Sequence, residues 1–186
     1  MYVFKILLLG EGAVGKTSLG RNFLGRHFKN DYAPTIGADF AIKNMLIEFN
    51  STTYDVHFQI WDIAGQQLFE KIRPSFYGGA SGAFVVYDIS RPDTLTKVTQ
   101  WVNETLQYKS KSVVPIVLVG NKTDLRRSDI STTSRSDGEE VAKRVTLLCN
   151  IDQWQTPFIE TSARTGENVT SAFEELGKQI LRQVTG

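Results

Sequence analysis

Gly10-Glu11-Gly12-Ala13-Val14-Gly15-Lys16-Thr17 is the stretch on which the fold turns. It fits the pattern G-x-x-x-x-G-K-[ST], and it stands between a strand-like run and a helix-like one, where that pattern has physical meaning. Before it, Tyr2 to Leu9 is almost continuously apolar, as in a strand covered on both faces. After it, residues 16 to 26 have helix period, with Leu19 and Phe23 one turn apart. Glycines in such a turn let the backbone wrap an anion with its NH groups inward, and the following helix presents its positive end. Gly10, Gly12, Ala13, Val14 and Gly15 are therefore expected to line a phosphate, with Lys16 supplying a point charge to it and the Thr17 hydroxyl available to Mg²⁺.

Outward from this loop, strand-length apolar runs alternate with helix-period stretches. Asp39 to Phe49 and Tyr54 to Trp61 flank Asn50-Ser51-Thr52-Thr53 and read as a hairpin. Ala83 to Ile89 and Val113 to Val119 read as buried strands, and Phe158 to Glu160 as a short one. Leu95, Val98, Val102 and Leu106 stripe one amphipathic helix; Val141, Val145 and Leu148 stripe a second, with Ser136 and Glu139 as its capping box. Val169, Phe173, Leu176 and Ile180 stripe a last helix. Ser128 to Gly138 reads as an exposed loop, and Asn150 to Thr156, with Trp154, as a second irregular piece. The alternation predicts an α/β layer fold with a mostly parallel sheet.

Composition narrows the class. The 186 residues suit one domain, residues 1–186, and 41% hydrophobic content excludes a disordered chain. Twenty-one basic against 20 acidic residues give a net charge of +1, so nothing global points to nucleic acid or to an anionic membrane. Cys149 stands alone, without metal-ligand spacing, and reads as a small apolar residue of a reduced compartment. No apolar run approaches the roughly 20 residues of a membrane span, so a cytoplasmic protein is expected.

A phosphate loop does not identify the base. Asn121-Lys122-Thr123-Asp124 follows a predicted strand directly, at the end of the sheet where open α/β folds bind ligands. A carboxylate there can accept hydrogen bonds from both N1 and the 2-amino group of guanine, a pair that adenine lacks. With this motif in place the chain resembles the Ras superfamily of small GTPases, and most of all its Rab branch. The resemblance covers nearly the whole chain. Tyr32-Ala33-Pro34-Thr35-Ile36-Gly37 resembles the first switch, Trp61-Asp62-Ile63-Ala64-Gly65-Gln66 the D-x-x-G-Q segment, and Glu160-Thr161-Ser162-Ala163 the second base-contacting loop. Ile36-Gly37-Ala38-Asp39-Phe40, Phe58-Gln59-Ile60-Trp61 and Phe76-Tyr77-Gly78-Gly79-Ala80 are similar to Rab segments.

The resemblance implies a P-loop NTPase fold, the small G domain, with six strands and helices on both faces. It implies GTP and GDP as ligands with Mg²⁺ held by Thr17, Thr35 and Asp62. Ser18, Phe28, Tyr32, Gly65, Ser162, Ala163 and Arg164 would complete the nucleotide site, Phe28 against the guanine edge, the Gly65 NH toward the γ phosphate and the Ala163 NH toward guanine O6. Gln66 would orient the attacking water, with Lys16 and Thr35 completing the catalytic set. Partners would be an exchange factor, an activating protein and effectors that read residues 30–40 and 62–80, the chain itself being a monomer. No arginine stands out as a finger supplied in cis. An ATP-using P-loop kinase and a GTP-binding scaffold with negligible hydrolysis remain the alternatives.

Some features depart from the pattern. Gln67 replaces a usual acidic residue, and Arg164 a common lysine. The hairpin is longer than in Rab proteins, and the region 125–156 carries about a dozen extra residues, an enlargement of the kind that often carries function. The chain ends Gln183-Val184-Thr185-Gly186 without a cysteine or polybasic run, so no membrane anchor is expected within it.

Overall fold

The computed structural model describes residues 1–28, 33–108, 114–126, 130–149 and 155–186. Six strands form one sheet: β1 (Tyr2–Leu9), β2 (Ala38–Phe49), β3 (Thr52–Ile63), β4 (Gly82–Asp88), β5 (Ile116–Asn121) and β6 (Phe158–Thr161). Their spatial order is β2-β3-β1-β4-β5-β6, with β2 antiparallel to β3 and every other pair parallel. This is the predicted fold class. Parallel neighbours demand crossovers, which carry α1 (Lys16–Phe23), α2 (Pro74–Tyr77), α3 (Pro92–Thr96), α4 (Val98–Gln107) and α5 (Arg135–Cys149); α6 (Val169–Thr185) follows the last strand and packs back on the sheet.

Two cores follow from helices on both faces. Alternate residues of β1 supply both: Ile6 and Leu8 pack with Leu19 and Phe23 of α1 and with α6, while Leu7 and Leu9 pack with α4 and α5. Phe173 of α6 centres the first core, stacked on Phe23 at 3.7 Å and edge-on to Phe84 at 4.7 Å. Gly177 keeps α6 close, since a Cβ there would meet Ile47 Cδ1 at 2.2 Å. Among the described residues no helix is long and apolar enough to cross a membrane.

Local chemistry sets the boundaries. The first helix stops at Phe23 rather than near 26, because Gly25 takes φ 74°. Its NH donates to Asn22 O and that of Arg26 to Arg21 O, a pairing that closes helix ends through a left-handed residue. The hairpin turn has two residues, not four: Asn50 and Ser51 both adopt positive φ, and Thr52 pairs directly with Phe49.

The stripe from Leu95 to Leu106 belongs to two helices, not one. The Thr96 hydroxyl donates to Asp93 O at 2.7 Å and closes α3, and α4 restarts at Val98. The capping box of α5 is Ser134 with Asp137, two residues earlier than predicted. The Asp137 NH donates to Ser134 Oγ at 3.2 Å, and Asp137 Oδ2 accepts the Ser134 NH at 2.8 Å. Those bonds hold the Asp137 carboxyl below its usual range, while Glu139 pairs with Arg135 instead. Leu148 is exposed, and Cys149 takes the last buried position of the stripe. Part of the predicted loop 128–138 is ordered in the core: Thr133 and Gly138 are buried, and the Thr133 NH donates to Ile89 O. Residues 128–129 of that loop and 150–154 of the second irregular piece, including Trp154, lie outside the described residues.

Candidate functional site

Strand β1 delivers the chain to Gly10 at the carboxyl end of the sheet, where the phosphate loop bends back on itself. Gly10 has φ 133°, and a Cβ there would meet Val86 O at 2.1 Å, so the loop lies hard against β4. Gly15 has φ 99° and would meet Asn121 Nδ2 at 2.2 Å. Only glycine fits both positions, and the result is a loop closed around the N-terminus of α1.

A cavity of about 650 Å³ opens beside that terminus. It is lined by Gly12, Ala13, Gly15, Lys16, Thr17 and Ser18 from the loop and α1, by Phe28 and Thr35, and by Gly65 and Gln66. Asn121, Lys122, Asp124, Ala163 and Arg164 close it. Segments far apart in sequence, all expected at one site, thus share one cavity. Gly10, Val14 and Ser162 stand behind the lining: the Gly10 carbonyl accepts from Lys16 Nζ, Val14 O from Asn121, and Ser162 Oγ donates to Asp124 Oδ1 at 2.6 Å. Phe28 is half-exposed and belongs to the cavity wall rather than to the core. Tyr32 lies outside the described residues.

Lys16 is buried and donates to Gly10 O at 2.7 Å and Glu11 O at 2.9 Å. Burial brings its pKa down to about 8, against the opposing pull of Asp62 and Glu11. A buried ammonium held only by carbonyls is a receptor for an anion. Asp62, at the end of β3, accepts from the Thr17 hydroxyl through Oδ2, and the Thr35 hydroxyl lies 3.0 Å from that of Thr17. Burial raises the Asp62 carboxyl above its usual range, and its Oδ1 is buried without a hydrogen-bond partner. Two hydroxyls and a half-satisfied carboxylate form a hard oxygen set that fits Mg²⁺. Among the described residues no group of three or more His, Cys, Asp or Glu could hold a metal, so such an ion would need further oxygens from a phosphate ligand.

The base loop is tied to the phosphate loop by one side chain. Asn121 Nδ2 donates to Val14 O at 2.9 Å, while its Oδ1 accepts from Thr161 Oγ1 at 3.1 Å and from the Ala163 NH at 3.0 Å. That NH, expected to face a guanine oxygen, is engaged within the protein here. Lys122 sits at φ 74° and pairs with buried Asp88 at 2.6 Å.

Sequence reasoning missed several contributors. Arg21, Ala33 and Leu125 also line the cavity. Arg91 Nη2 donates to Gly12 O at 2.8 Å, bracing the loop from the β4 side. Asp88 carried a legible signal, because a carboxylate closing an apolar strand needs a cation. Arg21 and Arg91 carried none in their local sequence.

Comparisons with known proteins agree with this geometry. The family profile described as Ras family matches residues 5–182. The chain is 39% identical over 178 residues to Ras-related protein Rab-18-B of Danio rerio, covering 96% of this chain and 79% of that protein. It is 37% identical over 178 residues to Ras-related protein Rab-18 of Lymnaea stagnalis, covering 96% and 80%. It is 38% identical over 179 residues to Ras-related protein RABA5a of Arabidopsis thaliana, covering 96% and 74%. With its phosphate loop, switch segments and base loop around one cavity, the chain belongs to the Ras family and is a Rab-like small GTPase.

Proposed function

We propose that the protein is a switch that binds GTP or GDP in the 650 Å³ cavity and hydrolyses GTP slowly, presenting two surfaces to partners in membrane trafficking. The observation that carries the reading is that Lys16, Thr35, Gln66 and Asp124 line the same cavity. Thr17, Thr35 and Asp62 would hold Mg²⁺, which when bound neutralises charge on the β and γ phosphates. Lys16 places its ammonium against those phosphates and trades its carbonyl contacts for charged ones. The Gly65 NH and the Thr35 main chain meet the γ phosphate, so their segments are held only while that group is present. Gln66 directs a water at phosphorus; an amide is too weak a base to take the proton fully, so its part is orientation. Its Oε1 is buried and has no hydrogen-bond partner, as suits an acceptor reserved for that water.

Ras-family proteins work through exchange factors, activating proteins and effectors. Here the rings of exposed Phe40 and partly buried Trp61 and Phe76 run from β2 to α2 with centroids 5.1 and 6.0 Å apart, flanked by exposed Ile36 and Leu68. An apolar ridge between the two switches suits a partner that reads both together.

Base preference tests the reading. Asp124→Asn replaces an acceptor by an amide that can donate to the 2-carbonyl of xanthine, so GTP affinity should fall and XTP affinity rise by about 100-fold or more each. Equal preference for ATP and GTP in the parent protein, or an Asp124→Asn variant that still favours GTP, would refute it.

A further inference from the structure

Arg73 lies in the second switch, seven residues after Gln66, and is 4% exposed. Its Nε and Nη2 donate to Glu104 of α4 at 2.9 and 2.8 Å, a two-pronged ion pair that Tyr77 reinforces by donating to Glu104 Oε1 at 2.6 Å. The guanidinium lies over the Trp101 ring, 4.3 Å from its centroid, and Trp101 Nε1 donates to Glu11 Oε1 at 3.1 Å. The remaining nitrogen, Nη1, reaches the Gln66 carbonyl at 3.5 Å.

These contacts close a circuit. It runs from the phosphate loop at Glu11, through Trp101 and Glu104 of α4, to Arg73 and back to the backbone of Gln66. Gln66 needs such support, because its own Oε1 is buried without a hydrogen-bond partner to fix the side chain. On one side that backbone is fixed by Gly65, packed against Gly10 and Glu11. On the other it is fixed by the Phe69 NH and by Arg73.

We infer that Arg73 is a positioning residue for GTP hydrolysis, holding the Gln66 segment at a fixed distance from the phosphate loop through Glu104 and Trp101. It is not an arginine finger in this arrangement, because two of its three nitrogens are committed to Glu104. The inference rests on the reading of Gln66 given above.

The test is single-turnover γ-phosphate release from the preloaded full chain, where the rate constant is independent of nucleotide affinity. Arg73→Ala should slow release by at least about tenfold, since a misplacement near 1 Å suffices for 100-fold. GDP release should stay within about twofold of the parent, which a merely structural role would not spare. Glu104→Gln, which keeps size and removes the charge, should slow hydrolysis in the same way without touching Gln66, and it carries the test if Arg73→Ala does not fold. Arg73→Lys should recover little, because an ammonium cannot make the two-pronged contact and also reach the carbonyl. Arg73→Ala combined with Gln66→Leu should be no slower than Gln66→Leu alone. If Gln66→Leu slows release but Arg73→Ala and Glu104→Gln do not, the positioning role is overturned and Gln66 stands. If Gln66→Leu itself matches the parent, the reading of Gln66 falls and takes the inference with it.

Discussion

Replacing Gly65 by alanine should separate hydrolysis from binding. An added Cβ would lie 2.3 Å from Gly10 O, 2.5 Å from Glu11 C and 2.7 Å from Glu11 O, all backbone atoms that cannot swing aside as a side chain would. Ordinary contact begins near 3.4 Å, so one segment must retreat by about 1 Å. The phosphate loop is the less able to move, because Gly10 is already seated on Val86, where even a Cβ would stand 2.1 Å from the carbonyl. The segment Ala64–Gln66 therefore gives way and carries Gln66 off its mark. A displacement of that size costs about 100-fold in rate, or roughly 2.7 kcal/mol of barrier. GDP affinity should change little, since Phe28, Lys122 and Asp124 bind elsewhere on the cavity wall. Single-turnover GTP hydrolysis and displacement of a fluorescent GDP analogue measure the two quantities. A Gly65→Ala protein that hydrolyses within about twofold of the parent would refute the argument, as would one that loses GDP and GTP binding alike.

Two other outcomes follow from burial. Lys16 in the free protein has its pKa lowered to about 8, and bound phosphate raises it again, so binding takes up a proton above that pH. GDP affinity should be full below pH 8 and weaken above it by up to about tenfold per pH unit, measured by titration from pH 7 to 9. Lys16→Arg should flatten the profile because its guanidinium stays charged, and a flat profile in the parent would refute the assignment. Phe173→Ala removes a fully buried ring stacked on Phe23 and set against Phe58 and Phe84, so it should cost about 3–5 kcal/mol in urea unfolding. A loss below about 1 kcal/mol would mean that the α6 core repacks freely.

The phosphate loop and the sheet were legible because their signals are local: a fixed glycine spacing in one case, runs of apolar residues in the other. The elements misplaced from sequence are those where neighbours compete on equal local terms. Ser134 and Ser136 are both good caps, and Asp137 and Glu139 both good partners; burial of Thr133 against Ile89 selects the earlier pair. Leu95 to Leu106 keeps helical period across a break because the Thr96 hydroxyl interrupts the backbone without disturbing the apolar face. In the site, residues that meet the ligand by residue type were visible, and those that act by bracing were not. Arg73 and Arg91 resemble any surface arginine until the fold sets Glu104 beside one and the Gly12 carbonyl beside the other.

The β2–β3 hairpin adds a consequence of its own. Its tip is the tight turn at Asn50-Ser51, and its open end joins the first switch at Ala38 to the second at Ile63, which are direct partners in the ladder. The Ala64 NH extends that ladder by one bond, to Gly37 O at 2.9 Å. The two switches are thus the frayed ends of a single ribbon. Unzipping one rung there loosens both, so a state with one switch formed and the other released gives up that rung without gaining the freedom of two loose ends. Partners that read this protein should therefore meet two populations and little between them, the sharpness being set by backbone pairing rather than by the nucleotide.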